Sequence, residues 1–329
     1  MLILSEFDIR FRVPFPTAMV ALLHLYPSIE ARLQSGNDLL VEHTTSELAG
    51  YSASQFNLTV IPSTDYLDCF GNRCARFVAP AGHLRLSGSN VIDAQSGPDT
   101  IYPNAQQAPI EQLPSEVLQF LLPSRYCQVD QFGAIAQDLF GSVPSGWARA
   151  TAIRDWVHDR VAFNYNAARP TKTSMDVFTE RVGVCRDFQH LAITLSRCLN
   201  IPARYVTGYI GDIRRPYSGP GDFSAWYQVF LDGQWIDLDA RHNYPRHGRI
   251  LMALGRDAAD VAITTSFGAA YLSHFYVESN EIDAAGNKIP LPSWNGQGAP
   301  STHSLVDVNT PTQTNGSRSS PSQMQSATS

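Results

Sequence analysis

Residues 181–199 read RVGVCRDFQHLAITLSRCL, and the reading of this stretch decides the fold. Gly183 and Val184 close a turn, and an apolar helix opens at Cys185. Phe188, Leu191, Ala192, Leu195 and Leu199 recur at spacings of three and four, which marks one buried helical face. Cys185 belongs to the same stripe but stands in the first turn. A thiol there meets the unpaired N–H groups and the positive end of the helix dipole. Both favour the thiolate, which is the nucleophilic form. A cysteine on an apolar helix face also has a plainer use as a small core residue. This stretch by itself leaves both uses open.

Length and composition bound the answer. The chain has 329 residues, room for two domains and a full-sized core. Its 43% hydrophobic and 16% charged residues describe a globular protein of modest charge density. A net charge of −6 with no Lys/Arg cluster argues against a nucleic-acid partner. Lys172 and Lys288 are the only lysines, a bias of composition that carries no function. No run approaches the roughly 18 apolar residues of a membrane span. The first residues, MLILSEFDIRF, hold Glu6 and Asp8 and lack the apolar region of a signal peptide. Five cysteines, an odd number, fit a reducing compartment. A cytoplasmic protein without membrane contact is expected, and the oligomeric state is left open.

Along the chain, residues 1–110 read as a β-rich domain. FDIRFRVPF alternates Phe7, Ile9, Phe11 and Val13 against polar neighbours, and further strands are expected at 38–44, 55–61, 74–79 and 83–87. Gly71-Asn72 as a two-residue turn would set Cys69 opposite Cys74, most simply as two reduced thiols, since no second Cys/His pair completes a zinc site. A Pro-punctuated stretch from Gly97 to Pro114 leads into a helical linker, 111–144, with helices at 113–122 and 129–140. Ser145 is the expected N-cap of a helix burying Ala150, Ile153, Trp156, Val157 and Val161. His158 on that helix reads as a surface or interface residue. A core of 145–284 would end in a polar, disordered tail, 285–329.

After the cysteine helix come the strand ARYVTGYIG, a Gly/Pro-rich loop at 211–222 that could overhang a cleft, and the pair FSAWYQVFL and QWIDLDA. Asp232-Gly233 is a strong hairpin signal between the two. A two-residue turn pairs Leu231 with Gln234 and brings residues 224 and 239 together on one face. If this sheet packs on the cysteine helix, the side chain at 224 and the Asp239 carboxylate approach Cys185. That is the layout of a thiol enzyme, with nucleophile at a helix start and base and carboxylate on a sheet. The base should be a histidine, and the chain has Ser224 there.

The blocks GVCRDFQHLAITLSRCLNIPARYVTGY, the Ala225-Trp226 pair and DLDARHN resemble the bacterial transglutaminase-like superfamily, papain-like folds that include transglutaminases and cysteine proteases. The resemblance covers roughly 145–280, and the β-rich segment looks like the domain that often precedes this core. It implies an α+β fold, with a nucleophile helix packed on an antiparallel sheet. It also implies a Cys–His–Asp triad that forms a thioester from a glutamine or peptide amide and passes the acyl group to an amine or water. By position Cys185 is the nucleophile, its backbone N–H contributing to an oxyanion hole, and Asp239 the orienting carboxylate. The family histidine falls on Ser224. GRDAADVAITTSFG, 255–268, also resembles a family segment, in which Arg256, Asp257 and Asp260 would form a charged helix start.

A serine hydroxyl is no general base near neutral pH. His190 lies about 140° round the helix from Cys185 and reads as structural, beside Asp187 or Arg186. His242 is the better substitute. It faces Asp239 only if the chain bends after Ala240, a bend that Asn243 and Pro245 favour. In an unbent strand Arg241 would face the pocket instead. His247 is more remote. A Cys185–Cys198 redox pair fails, because thirteen residues of helix separate them by about 20 Å. Trp226 and Trp235 read as core or cleft wall. The expected activity is cysteine-dependent acyl transfer or amide hydrolysis by Cys185, Asp239 and His242, on a peptide or protein amide, with no metal or cofactor. The alternative is an impaired, transglutaminase-like binding protein, for which Ser224 speaks.

Overall fold

The structure, a computed structural model, describes residues 1–46, 58–219 and 221–293. The first part of the chain runs through β1 (Leu2–Val13), β2 (Thr17–Ala21), α1 (Pro27–Glu30), β3 (Leu33–Thr44), β4 (Thr59–Val60), β5 (Thr64–Leu67), β6 (Arg73–Ala79) and β7 (Gly82–Asp93). β1 buries Phe7, Ile9, Phe11 and Val13 as its alternation predicts. Part of the strand expected at 55–61 lies outside the described residues.

After two 3-10 turns, Ile110–Gln112 and Ser115–Leu121, the chain forms α2 (Val129–Phe140), α3 (Trp147–Arg160), β8 (Ala162–Phe163), α4 (Ser174–Glu180), β9 (Val182–Gly183) and α5 (Cys185–Cys198). A four-stranded antiparallel sheet follows: β10 (Ala203–Tyr209), β11 (Phe223–Leu231), β12 (Gln234–Leu238) and β13 (Ile250–Gly255), in the order β12-β11-β10-β13. The apolar stripe of α5 packs on this sheet and against α2 and α3, so that every residue from Cys185 to Arg197 is buried. The architecture is α+β with the cysteine helix on an antiparallel sheet. The chain ends its described course in β14 (Thr264–Ser266) and β15 (Tyr271–Ile282).

The last two strands redraw the expected boundaries. β15 pairs with β1 and β14 with β2, giving sheets β15-β1-β7-β3-β4 and β14-β2-β6-β5 that share one apolar cluster. The β-rich part is therefore a sandwich completed from the far end of the chain, and the 145–284 unit does not run unbroken. Residues 111–144 are no linker: Phe132, Ala136 and Phe140 of α2 pack in the same cluster as α5. Residues past 285 turn back on β15, with Ile289 N–H donating to Glu281 O at 2.8 Å; the tail from 294 on lies outside the described residues. Gly146, with φ 85°, is the N-cap of α3 in place of Ser145. The 68–72 turn is longer than a two-residue turn because Asp68 accepts from the N–H groups of Phe70 and Asn72, so Tyr66, not Cys69, faces Cys74. Residues 256–261 form turns rather than a helix start; there Asp260 pairs with Arg256 and Asp257 accepts from Tyr126 N–H.

Most buried polar groups on α5 have named partners among the described residues, the exception being His190 Nδ1. Arg197 donates to the carbonyls of Leu122, Ala203 and Arg256. His190 is fully buried and stacks on Tyr126 at 5.0 Å. Its Nε2 accepts from Ala258 N–H at 3.1 Å, which leaves the proton on Nδ1. The residue is structural, as expected, though its partners are Tyr126 and Ala258 rather than Asp187. Burial drives its pKa well below the ordinary value, and the charges of Arg186 and Arg197 add to the fall.

Two outcomes follow. A folded-state pKa below the unfolded one means that His190 stabilises fully above pH 6.5 and loses stability as pH falls, by about 1.4 kcal/mol per unit. Urea melts between pH 5 and 7.5 should show that slope, flattened in His190→Gln. Phe223 is fully buried where the core sheet meets the sandwich, against Phe7, Tyr209 and Phe275. Phe223→Ala should cost about 3–5 kcal/mol and leave a single unfolding transition, because both parts share that cluster.

Candidate active site

The short parallel pair β8–β9 sets the approach to Cys185. Phe163 pairs with Gly183, and Asn164 N–H donates to Gly183 O at 2.9 Å, so Phe163 and Tyr165 lie beside the helix start. Val184 is the extended N-cap residue, and Asp187 accepts its N–H at 2.9 Å. Arg186 holds Asp187 at 3.3 Å and reaches Arg169 O at 2.8 Å. The first turn of α5 is thus fixed before any substrate arrives. Cys185 itself is 2% exposed.

The hairpin has the predicted register. Asp232 and Gly233 both take positive φ, 47° and 73°, and Leu231 pairs with Gln234. The strand then ends at Leu238, two residues earlier than the bend required. Residues 239–243 form a turn, closed by Asn243 N–H donating to Asp239 O at 2.9 Å with Asn243 in the left-handed region at φ 56°. This turn carries His242 back over Asp239, and Nδ1 stands 2.9 Å from Oδ2. Arg241, the residue an unbent strand would aim at the pocket, lies on the Phe163 ring at 3.8 Å and against the Tyr165 hydroxyl.

Asp239 is the centre of a donor shell. Oδ1 accepts from Arg241 N–H at 2.9 Å, His242 N–H at 3.1 Å and Gln189 Nε2 at 3.1 Å; Oδ2 accepts from Arg249 at 3.4 Å. Burial alone would raise its pKa, but His242 and the Arg249 guanidinium overcome that and hold the carboxyl far below the usual range. For His242 burial prevails over the pull of Asp239, and its pKa falls below the ordinary value, with Arg241 and Arg246 adding to the fall. The imidazole is therefore neutral at pH 7, with Nδ1–H directed at the carboxylate and Nε2 left as the basic nitrogen.

Three residues of this arrangement were missed in the sequence. Gln189 stands one turn beyond Cys185; its Nε2 also donates to Ala225 O at 3.2 Å and its Oε1 accepts from Ala240 N–H at 3.2 Å, tying helix, sheet and turn together. Its spacing of four from Cys185, on a stripe otherwise apolar, was the available signal. Arg249 enters from the loop before β13 and also binds Asp99 at 2.8 Å, with nothing local to betray it. His158, read as a surface or interface residue, donates from Nδ1 to the carbonyls of Ala240 and Arg241 at 3.2 and 2.9 Å and clamps the turn.

Ser224 lies on the strand face whose Trp226 carries the Arg249 guanidinium 5.1 Å over its ring, and Arg249 in turn binds Asp239. Odd residues of β11 (Ala225, Tyr227, Val229) pack in the cluster beneath α5, whereas Ser224 shares the strand face of Trp226, which packs with Val206 and Leu254. His247 pairs through its backbone with Pro98. Trp226 is a buried wall whose Nε1 donates to Asp237 at 2.6 Å, and Trp235 packs on Phe120 and Phe230. A cavity of about 260 Å³ reaches Asp239 and Arg249 between Trp147, Arg154 and Tyr244, but neither Cys185 nor His242 lines it. Its wall holds Arg249 Nη1 and Asn243 Oδ1, buried and without a protein partner among the described residues, an arrangement suited to ordered water. Among the described residues no three His, Cys, Asp or Glu groups converge to hold a metal ion, and no helix is long and apolar enough to cross a membrane.

The chain is similar to several known proteins. Residues 133–240 match the model of the transglutaminase-like superfamily. The crystal structure of a Cytophaga hutchinsonii protein, described as a candidate cysteine protease, is 28% identical with a TM-score of 0.71; the match covers 90% of this chain and 94% of that one. An uncharacterised protein of Mycobacterium leprae is 27% identical over 220 residues, 61% of this chain and 76% of its own. One of Mycobacterium tuberculosis is 30% identical over 141 residues, 39% of this chain and 43% of its own. Residues 133–240 are thus similar to the transglutaminase-like superfamily, in a chain whose β-sandwich is completed by strands from both sides of that region.

Proposed function

We propose that the chain is a cysteine-dependent acyl transferase or amide hydrolase acting on a peptide or protein amide, with Cys185 as nucleophile, His242 as base and Asp239 as its orienting carboxylate. The observation that carries this reading is the His242–Asp239 hydrogen bond of 2.9 Å, in a turn that Gln189 ties to the cysteine helix one turn from the thiol. A buried carboxylate that fixes one tautomer of a neutral imidazole is what thiol activation requires.

In the reaction, Cys185 Sγ attacks the amide carbonyl carbon as His242 Nε2 takes the thiol proton. The tetrahedral intermediate collapses to a thioester when His242 returns that proton to the leaving amine. Water or a second amine then attacks the thioester, giving a proton to His242, and the thiol re-forms as the acyl group departs. The positive end of the α5 dipole favours negative charge on sulfur and on the developing oxyanion. The 2% exposure of Cys185 means that substrate must reach the sulfur through the rim formed by residues 163–165 and 241.

The impaired-site alternative rests on Ser224; against it stands the imidazole of His242, which the turn holds on Asp239 at 2.9 Å. Iodoacetamide alkylation across pH separates the two. Cys185 in the wild type should react with an apparent pKa below the roughly 8.5 of a free thiol, and His242→Ala should raise it by about one unit or more. Turnover should fall on the acid side below pH 6.5, where the imidazole begins to take a proton. An ordinary or raised thiol pKa in both proteins, or a gain in reactivity in Ser224→His, would move the balance to the binding protein.

A further inference from the structure

The rim of the site is basic in a particular way. Arg241, next in the chain to His242, lies flat on Phe163 at 3.8 Å and against the Tyr165 hydroxyl. Arg215, on the 211–222 loop, lies on the Tyr244 ring at 3.8 Å, and that ring is 6.0 Å from the His242 ring. Two guanidiniums on aromatic shelves therefore flank the imidazole. Neither takes part in a salt bridge among the described residues, unlike Arg214, which pairs with Glu281, or Arg246, which faces Asp212 at 3.9 Å. Phe163 and Tyr165, which meet edge to face at 4.9 Å, are exposed at the same rim, at 37% and 46%.

Stacking orders a guanidinium and leaves its N–H edge to bind a partner, and the planar fork of arginine suits a carboxylate in two-point contact. The carboxylates nearby do not cancel this charge. Asp239 is buried within its own donors, Asp212 is held by Ser218 and Arg246, and Asp222, which faces the Tyr165 hydroxyl, sets one negative charge against two positive. The charge at Tyr165 bears on the thiol: although much of the ring is exposed, desolvation raises this phenol to about 12, the charges of Asp222 and Cys185 push the same way, and Arg241 opposes them.

We infer that Arg241 and Arg215 select an acidic residue beside the reacting amide, so that the substrate class is an acidic peptide or protein segment. This rests on the thiol-enzyme reading above and adds the substrate to it. The arginines are specificity residues, which bind the carboxylate without touching the reacting bond.

The test compares two alkylating agents of the same size, iodoacetate and iodoacetamide, and then two peptidyl vinyl sulfones that differ only in Glu against Gln beside the electrophile. Taking the ratio of rates within one protein removes differences in thiol reactivity. The iodoacetate to iodoacetamide ratio should be about 10-fold higher in wild type than in Arg241→Gln, higher by a smaller factor than in Arg215→Gln, and should fall as salt rises. The Glu probe should label Cys185 about 10-fold faster than the Gln probe, an advantage lost in Arg241→Gln. Arg215 is exposed on a loop, so its variant keeps the test valid if Arg241→Gln disturbs the turn. Equal ratios in all three proteins, or equal labelling by the two probes, would overturn the inference. An activated thiol with equal ratios would overturn this inference alone, whereas a thiol that titrates ordinarily would remove the enzyme reading beneath it.

Discussion

The structure around the thiol depends on one buried carboxylate. Taking Asp239 out of water costs several kcal/mol unless donors replace the lost solvent, and a partly satisfied charge is worse than none. The donors come from separate parts of the chain: Gln189 from the cysteine helix, the amides and imidazole of the 239–243 turn, and Arg249 from the loop before β13. None of them can shift far without leaving negative charge unpaired. The carboxylate therefore fixes helix, hairpin end and loop relative to each other, and the histidine is held in its tautomer by the same contact. Gln189 is the economical part of this device. One amide side chain meets Asp239, a sheet carbonyl and a turn N–H at once, which sets the depth of the turn beneath α5.

The turn also explains how a histidine meets Asp239 with serine at position 224. A strand offers alternate side chains to opposite faces, so a histidine on β11 must take its place by strand parity. A turn is not bound by parity. By closing Asn243 N–H on Asp239 O, the chain brings a side chain three residues on to the carboxylate, as a helical turn would. The carbonyls of Ala240 and Arg241, which would otherwise lack strand partners, are taken by His158. Pairing carboxylate and imidazole in one turn removes their separation from the tolerances of the sheet.

Much of this was legible in the sequence because it follows from local rules. The apolar spacing after Cys185 gives the helix and its buried face, and Asp232-Gly233 gives the hairpin and its register. The bend at His242 was readable from Asn243, a residue that accepts the left-handed region, although its start at Asp239 was not. What failed involves distant partners. No local signal tells β15 to pair with β1, so the domain boundary drawn at the start of the helical region missed the strand that returns. Arg249 and His158 act through contacts ten and more than eighty residues away. The short turn read at Gly71 failed because the Asp68 side chain satisfies two backbone N–H groups and so stabilises a longer loop.

The return of the chain to the sandwich reaches the site through the 211–222 loop. Gly211 and Gly221 stand at its two ends, and a Cβ on either would come within about 2 Å of a β15 carbonyl, that of Ser279 or Val277. Only glycine permits that approach of one backbone to another, so the loop is laid on β15 at both feet. Between the feet Arg214 pairs with Glu281 of β15, and Arg215, the next residue, is left to lie on Tyr244 beside His242. Arg214 takes φ 57°, in the left-handed region, where one arginine meets the sandwich and the next meets the rim. The sandwich is thus more than a support: through a strand from the far end of the chain, it sets where the loop holds positive charge beside His242.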